Sequence, residues 1–357
     1  MPHDDDEVIR LREWGTDQVH VLPPPPVHAW YIGSSTTCPL RLTGRGVSPI
    51  HAELIDEGEQ WRIRDFEGAT GLRQDGQPRK EIVLTPGVEV GIGSVTLIAE
   101  SQRTIALRDF CARILGWGGD RMQAVDHALR AIRLAAAWRS PLVLRGEGDL
   151  VPLAHALHRR VLGADAPFVV CDPRREDLPA SVRSPANRRS GVAAFEGAAG
   201  GSLCVRSSRL PRDLPELLRL LYEPACRVLL IVCIRGRARG GLLPGAMPLE
   251  VPPLRIREAE LTRIVQAYAD DAIAELHATP SCFTKDDHRW VMAHSARSLS
   301  EIEKATLRVV ALRMTDNVHQ AATLLGMAAV SMSRWLDRRE PLTARAESRW
   351  RSRSGAR

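Results

Sequence analysis

The chain has 357 residues, of which 44% are hydrophobic and 26% are charged, and its formal net charge is +6. This composition excludes wholesale disorder, and the length predicts two or three domains. No apolar run reaches the roughly 18 residues of a membrane helix, and the acidic start is unlike a signal peptide.

The seven cysteines are scattered along the chain and form no C-x-x-C pair. This spacing argues against a zinc site or a disulfide framework and for a reducing cytoplasm. We therefore expect a cytoplasmic protein with no metal, no cofactor and no membrane partner.

Residues 1 to 102 predict an all-β domain. Short runs rich in Val, Ile, Leu and Trp are separated by turn residues at the spacing of a β-sandwich. These runs are VHVL, HAWYIG, HAELID, QWRIRDF, VEVGIG and SVTLIAE. The prolines at 23 to 26 fit a loop or a sheet edge, because proline cannot donate to a sheet.

Four stretches of this segment, WYIGSS, VSPIHAEL, WRIRDFEGATG and DG, resemble the forkhead-associated (FHA) family. Members of that family are β-sandwiches that bind phosphothreonine peptides through loops at one end. The resemblance gives structural roles to Gly33, His51 and Gly71, with His51 bracing a loop. It gives Ser48 the role of the phosphate-binding serine.

The segment departs from the family at its strongest charge donor. The arginine that follows the first glycine is Ser34 here, and Thr70 replaces the asparagine that grips the peptide backbone. A phosphothreonine dianion needs an arginine with hydroxyl and amide donors, and the candidates to substitute are Arg41 and Arg45, which precede Ser48 in the loop region. The predicted phosphopeptide site is Ser34, Arg41, Arg45, Ser48 and Thr70. The alternative is a phosphate-independent interaction domain.

Residues 103 to 300 predict an α/β domain. AVDHALRAIRLAAAW (124 to 138) has helical periodicity, while PLVLRG, PFVVCD, GSLCVR and RVLLIVCI are short apolar runs. Such runs are typical of a parallel sheet that is covered on both faces. Alternation of the two patterns indicates the α/β class.

PLVLRGEGDLVPLAHALHRR, residues 141 to 160, has the layout of a phosphate-binding loop. A working loop reads G-x-x-x-x-G-K-[ST], and its lysine reaches the β- and γ-phosphates. Gly146, Glu147 and Gly148 are present, but no lysine follows. These three residues are therefore predicted to form a degenerate nucleotide loop.

Four stretches of this segment together resemble one family. They are residues 141 to 160, PFVVCD, AFEGAAGGSLCVRSSRLPRDLPELLRLL and VPPLRIREAELTRIVQAYADDA. The family they resemble is the AAA+ domain of sigma-54-dependent enhancer-binding activators. The family's acidic pair, which serves magnesium and water activation, is replaced by Arg206 and Ser207, and its G-A-F-T-G-A contact loop is absent. Its W-P-G-N-V-R-E-L arginine is Ser300. Without these groups little stabilises phosphoryl transfer, so we expect no catalytic residues and a non-enzymatic scaffold. Residual nucleotide binding at a helix N-terminus is the alternative.

DNVHQAATLLGMAAVSMSRWLDRR, residues 316 to 339, resembles a Fis-type helix-turn-helix within an all-α segment, 301 to 340. Asn317 is predicted to cap the first helix, and Gly326 to end it in the left-handed conformation. The second helix of such a motif enters the major groove. The predicted DNA-binding residues are Ala328, Ala329, Ser331, Ser333, Arg334, Arg338 and Arg339. A hairpin used only for dimerisation is the alternative.

The sequence thus predicts a bacterial DNA-binding transcriptional regulator. Its parts are an FHA-like domain (1–102), a degenerate AAA+ domain (103–300), a helix-turn-helix (301–340) and a basic disordered tail (341–357). Expected partners are DNA, a phosphothreonine protein or another protein at the FHA end, and a second copy or an intact paralogue. The alternative function is a non-DNA-binding adaptor in a phosphosignalling or secretion system.

Overall fold

The computed structural model describes residues 6–24, 30–58, 60–66, 71–181, 184–236 and 248–339. The chain divides into two compact units, Met1–Arg133 and Leu134–Arg357. The sequence places its first domain boundary at residue 102, inside the first of these units. The last predicted segment, residues 341 to 357, lies outside the described residues.

The first unit is a β-sandwich followed by two helices. Its strands are β1 (Arg10–Glu13), β2 (Val19–Val21), β3 (Trp30–Gly33), β4 (Leu40–Arg41), β5 (Ala52–Asp56), β6 (Trp61–Asp65), β7 (Leu72–Gln74), β8 (Gln77–Arg79), β9 (Glu81–Val83), β10 (Glu89–Ile92) and β11 (Val95–Glu100). One sheet has the order β2-β1-β11-β10-β7-β8 and the other β4-β3-β5-β6-β9. The pairs are antiparallel except for β3 with β4.

The sandwich encloses one apolar core. Leu11 and Leu97 of one sheet and Ile32, Leu54 and Ile63 of the other are fully buried in a single cluster. Alternate residues of a strand point to opposite faces, so each strand contributes its inward set. The predicted all-β sandwich is confirmed.

Strand β1 was not among the predicted runs, because it buries a charged residue. Arg12 is fully buried, and it donates from Nε to Glu100 (2.7 Å) and from Nη2 to Asp126 (2.6 Å). Burial alone would lower the pKa of Arg12, but its bonds to the two carboxylates raise it. A buried charge is tolerated when it is paired in this way.

Two helices complete the first unit. They are α1 (Gln102–Leu115) and α2 (Met122–Trp138), and a 3₁₀ turn at Gly119–Arg121 lies between them in the chain. Ser101 and Thr104 form a capping box at the start of α1. Helix α2 covers the predicted helix at 124 to 138 and carries Asp126, the partner of Arg12.

The second unit contains a six-stranded parallel sheet. Its strands are β12 (Leu142–Gly146), β13 (Phe168–Cys171), β14 (Ala186–Arg188), β15 (Ser202–Arg206), β16 (Leu229–Arg235) and β17 (Pro248–Glu250), and its order is β14-β13-β15-β16-β12-β17. All five pairings are parallel. The four predicted strands and the α/β character of this segment are confirmed.

Helices α3 (Val151–Leu162), α4 (Gly191–Gly197) and α5 (Leu214–Leu221) connect these strands. From β12 the chain crosses past β16 and β15 to β13, and the last strand, β17, lies on the other side of β12. The strand order therefore reverses at β12. In open α/β sheets the crevice at the carboxyl ends beside such a reversal is the usual ligand site.

The remainder of the second unit is helical. Its helices are α6 (Leu261–Glu275), α7 (Lys285–Ser295), α8 (Leu299–Met314), α9 (Val318–Leu324) and α10 (Ala329–Asp337), with 3₁₀ turns at Leu254–Ile256, Glu258–Glu260 and Pro280–Cys282. Buried Asp287 accepts from Arg313 Nη2 (2.6 Å) and caps α7, so it ties α7 to α8. Within the described ranges, no helix is both long and apolar enough to cross a membrane.

Candidate functional site

The first candidate site lies where β3 of the sandwich meets the loop before β5. A Cβ atom at Gly33 would lie 2.2 Å from the carbonyl oxygen of Pro49, so only glycine fits there. This close approach lets Ser34 N–H donate to the Ser48 carbonyl oxygen (2.9 Å) and Ser35 N–H to that of Pro49 (3.1 Å). Two of the predicted phosphopeptide residues, Ser34 and Ser48, are thereby brought together.

His51 fixes the loop that carries Ser48. Its ring is fully buried, its Nδ1 accepts from Ser48 N–H (3.1 Å), and its Nε2 lies 3.3 Å from the Gly71 carbonyl oxygen. A neutral imidazole protonated on Nε2 satisfies both bonds. The loop-bracing geometry is the one that the sequence predicts for His51, and it also gives Gly71 its role.

The two serines differ in what their hydroxyls can still bind. Ser34 Oγ donates to the Val47 carbonyl oxygen (3.3 Å), so it faces its own loop. Ser48 is half-buried, and its hydroxyl has no hydrogen-bond partner within the described ranges. Ser48 is therefore the serine with a donor available for a ligand.

The two candidate arginines border the same loops. Arg41 Nε donates to the Ser34 carbonyl oxygen (3.2 Å), and its side chain is exposed. Arg45 is exposed and forms no ion pair with the residues that the structure describes, while its carbonyl oxygen accepts from Ser94 N–H (2.8 Å). Thr70, the fifth predicted residue, lies outside the described residues.

An apolar patch beside these loops was not predicted. Tyr31 and Phe66 are 39% and 41% exposed, and their rings meet edge to face with centroids 6.1 Å apart. Phe66 N–H donates to the His51 carbonyl oxygen (3.0 Å), which attaches the patch to the braced loop. An exposed aromatic pair beside a polar loop suits the side chains that flank a phosphorylated residue.

The second candidate site is the glycine loop at the carboxyl end of β12, in the second unit. Arg206 ends β15, and its guanidinium lies 3.2 Å from Asp149 and 3.2 Å from Asp172. Arg209 approaches the same Asp172 oxygen at 2.8 Å. Arg206 is thus paired with Asp149 of the glycine loop.

Asp172 is fully buried, and its neighbours keep it ionised. Burial alone would raise its pKa, but a hydrogen bond from Arg174 N–H and the guanidinium groups of Arg209 and Arg206 lower it overall. Glu147 of the loop forms a separate ion pair with Arg255. Arg206, Arg209 and Glu147 are therefore held in ion pairs, whereas exposed Arg297 borders the same cavity and forms no ion pair with a described residue.

Little space remains at the loop. Gly148 has φ +80°, and a Cβ atom there would lie 2.9 Å from the Cβ atom of Ser298. The cavity bordered by Glu147, Ser298 and Ser300 has a volume of about 20 Å³. That is room for one water molecule, whereas small-molecule ligands occupy roughly 300 Å³ or more. The described space at this loop is therefore much smaller than an ordinary small-molecule site.

The third candidate site is the helical pair α9 and α10. Asn317 accepts from Gln320 N–H (2.8 Å) at the start of α9, and Gly326 has φ +61° after its end. Both predictions, the cap and the left-handed glycine, are confirmed. Ala321 and Ala322 are buried, and their small side chains allow neighbouring helices to approach closely.

Helix α10 presents a mixed face to solvent. Ala328, Ser331, Arg334 and Arg338 are exposed, whereas Ala329 and Ser333 are half-buried. Val330, which was not predicted, is 60% exposed on α10. Helical periodicity around Met332 and Trp335, which are buried, would have found it.

Arg339 differs from the other predicted arginines. Its guanidinium carbon lies 4.9 Å from the ring centre of Trp335, and Arg308 lies 5.0 Å from the same ring. Burial lowers the pKa of Arg339 below the ordinary arginine value. Arg339 therefore supports α10 from inside, while Arg334 and Arg338 remain accessible.

Residues 14–103 match the family described as the cytoplasmic domain of an inner membrane component of the type III secretion system. Together with the sandwich topology, this match supports an FHA-type domain at the N-terminus. No curated protein sequence matches the chain.

Several solved FHA structures resemble part of the chain. Mycobacterium tuberculosis EmbR in complex with a low-affinity phosphopeptide is 20% identical, with 28% of this chain and 26% of that chain covered and a TM-score of 0.25. The FHA domain of Chlamydia trachomatis CT664 is 16% identical, with 26% and 95% covered and a TM-score of 0.24. The M. tuberculosis Rv1747 FHA-1 domain is 17% identical, with 27% and 98% covered and a TM-score of 0.22.

Proposed function

We propose that this protein is a cytoplasmic DNA-binding transcriptional regulator that receives a protein signal at its FHA-type end. The observation that carries the proposal is the geometry of α9 and α10, two short helices joined by a turn with left-handed Gly326. In a helix-turn-helix the second helix docks in the major groove. Helix α10 keeps Arg334 and Arg338 exposed for phosphate contacts.

Base readout by α10 is weak in this proposal. Its exposed N-terminal residues, Ala328, Val330 and Ser331, are short, and none can form the bidentate contacts that discriminate bases strongly. Phosphate contacts position a protein without specifying sequence. We therefore expect a modest sequence preference with a strong dependence on salt.

The central domain acts as a non-enzymatic, AAA+-like scaffold in this proposal. The support is the pairing of Arg206 with Asp149 and Asp172, which uses the charges that a nucleotide site would need. With no lysine in the loop, metal-assisted phosphoryl transfer has no groups to act through. The domain then links input and output, as a single copy or assembled with a second copy or an intact paralogue.

The FHA-type loops receive the signal in this proposal. Ser48 offers a hydroxyl donor, and exposed Arg41 and Arg45 offer positive charge beside it. Charge-assisted hydrogen bonds from such groups are the means by which a phosphothreonine is recognised. A phosphothreonine protein is the preferred partner, and an unphosphorylated protein that uses the Tyr31–Phe66 patch is the other.

An adaptor without DNA binding is a second candidate function. The match of residues 14–103 to a cytoplasmic domain of a secretion-system component favours it. In that case the helical pair serves assembly, and its exposed arginines are solvated.

The deciding experiment is DNA occupancy across the genome of the source organism, for wild type and Arg334→Ala/Arg338→Ala. Discrete peaks that disappear in the double variant are the expected result, because these two arginines are exposed on α10. An Arg219→Ala/Arg289→Ala variant serves as control and should keep its peaks, since it removes the same charge from exposed arginines outside α9 and α10. Wild-type protein without enrichment at any locus would leave the adaptor as the function.

A further inference from the structure

Arginines mark the carboxyl edge of the parallel sheet in the second unit. Arg188, Arg206 and Arg235 are the last residues of β14, β15 and β16, and Arg145 is the penultimate residue of β12. Carboxyl ends of parallel strands lie at one edge of a sheet. The sheet therefore has a row of cations at the edge where α/β folds place their ligands.

Two of these arginines are neutralised by ion pairs with carboxylates of the same unit. Arg206 pairs with Asp149 and Asp172, and Arg145 pairs with Glu250 at 2.7 Å. These pairs neutralise Arg206 and Arg145 beside β12.

Other arginines at the same edge have no such partner. Arg174 follows β13, Arg189 follows β14, Arg212 lies between β15 and α5, and Arg235 ends β16; all four side chains are exposed. None of the four forms an ion pair with a described residue. We call these four arginines, which share this lack of an ion-pair partner, the arginine edge.

The neighbouring carboxylates are used by the backbone. Asp177 accepts from Arg189 N–H (2.7 Å). Asp213 accepts from Gly191 N–H (2.8 Å), Val192 N–H (3.0 Å) and Ser190 Oγ (2.6 Å), so it caps α4. These two carboxylates therefore hold loops in place, and neither forms an ion pair with an arginine of the arginine edge among the described residues.

We propose that the arginine edge is a second DNA-contact surface, which binds backbone phosphates of a duplex. This inference rests on the proposed DNA-binding function and extends it to the central domain. Four adjacent strands at about 4.8 Å spacing bring their ends across about 14 Å. Over that length duplex DNA carries about eight phosphates, and guanidinium groups bind phosphate in bidentate fashion.

The surface suits a polyanion better than a single nucleotide. Its cations are spread over β13, β14, β15 and β16, while the crevice that would take a nucleotide has about 20 Å³ of space. The contacts carry no base specificity, because only phosphates are reached. The arginine edge thus adds affinity to a recognition helix that reads few bases.

The test measures binding of the full chain to a mixed-sequence duplex of about 30 base pairs, between about 50 and 200 mM salt. The edge variant is Arg189→Gln/Arg212→Gln, which breaks no ion pair. The control, Arg219→Gln/Arg289→Gln, removes the same charge from exposed arginines that are paired with Glu216, Glu223 and Asp286. Arg334→Ala/Arg338→Ala is measured in parallel, and circular dichroism checks that each variant is folded.

We expect the edge variant to lose about tenfold in affinity and its salt slope to fall by about 2, with the control unchanged. An edge variant that equals the control, while the α10 variant loses binding, overturns this inference and leaves the proposed function intact. Wild type that binds no duplex at any salt overturns the proposed function as well. The same titration is repeated with an acidic polypeptide in place of the duplex. If the edge variant loses affinity for the polypeptide while its DNA affinity is unchanged, the assignment of the arginine edge to DNA is also overturned.

Discussion

Two loops of this chain carry glycine patterns associated with phosphate, and their surroundings are opposite. At the sandwich loops, the Ser48 hydroxyl has no hydrogen-bond partner among the described residues, and Arg41 and Arg45 are exposed. At the loop after β12, Arg206 pairs with Asp149 and Asp172. The difference teaches that a phosphate site needs donors without internal partners, in addition to a glycine pattern.

The physical reason is that a donor already satisfied must break its bond before it binds a ligand. A hydrogen bond to a charged group contributes about 1.5–3 kcal/mol, and its loss offsets the gain from a new phosphate contact. The His51 brace works in the other direction. It satisfies the backbone N–H of Ser48 without using the Ser48 hydroxyl.

The largest effect that tests this comparison is expected from Arg206→Ala. The change leaves buried Asp172 with Arg209 and Arg175, and it should lower the free energy of unfolding of the second unit by about 3 kcal/mol. Chemical denaturation of the full chain measures it. Arg209→Ala is the matched control, with a smaller expected loss of about 1 kcal/mol, because Arg209 is more exposed.

The same assay includes ATP with magnesium. A ligand that binds only the folded state raises the unfolding free energy in proportion to its occupancy. We expect no shift for the wild type, since the cavity at the loop is filled by protein. A clear stabilisation by nucleotide would contradict the expectation that the loop after β12 binds no phosphate. Both glycine loops would then be phosphate sites.

The next effect is expected from Ser48→Ala. Loss of its hydroxyl should weaken binding of a phosphothreonine peptide library by about tenfold to a hundredfold, because one charge-assisted bond is lost. Fluorescence polarisation on the full chain measures the affinity, with Thr85→Ala as the control at an exposed hydroxyl of the same unit. Arg41→Ala and Arg45→Ala then identify the arginine that contacts phosphate.

If the phosphorylated and unphosphorylated libraries bind equally well, phosphate recognition is wrong and a protein-interaction surface remains. In that case Phe66→Ala should weaken binding, and Ser48→Ala should not, since Phe66 is 41% exposed beside the loops.

The smallest effect is expected from pH. The pKa of Asp172 lies below its ordinary value of 3.8 in the folded chain, so the stability it contributes is complete above that value. It is lost as the pH falls through the lower folded pKa. The stability difference between wild type and Asp172→Asn, measured by denaturation, should therefore shrink as the pH falls below about 4. A difference that does not vary with pH in that range would show that Asp172 is not held ionised by its arginines.

The sequence by itself was sufficient for the periodic elements. Apolar runs predict β2, β3, β5, β6, β10 and β11 of the sandwich and β12, β13, β15 and β16 of the parallel sheet, because period and burial follow directly from side-chain spacing. The short strands β4, β7, β8, β9, β14 and β17 are not among the predicted runs. The caps and turns at Asn317 and Gly326 also follow from local chemistry. Strand β1 does not, because its buried Arg12 is acceptable only with Glu100 and Asp126, which are remote in sequence.

Whether each candidate residue is available to a partner was decided by tertiary structure alone. The sequence names Ser34 and Ser48 alike, but only the fold directs the Ser34 hydroxyl to Val47 and leaves that of Ser48 with no partner in the described part of the chain. It groups Arg334, Arg338 and Arg339, but Arg339 packs over Trp335. Local sequence determines which groups a segment carries. The use of those groups depends on long-range neighbours, whose pairing energies exist only after the chain has folded.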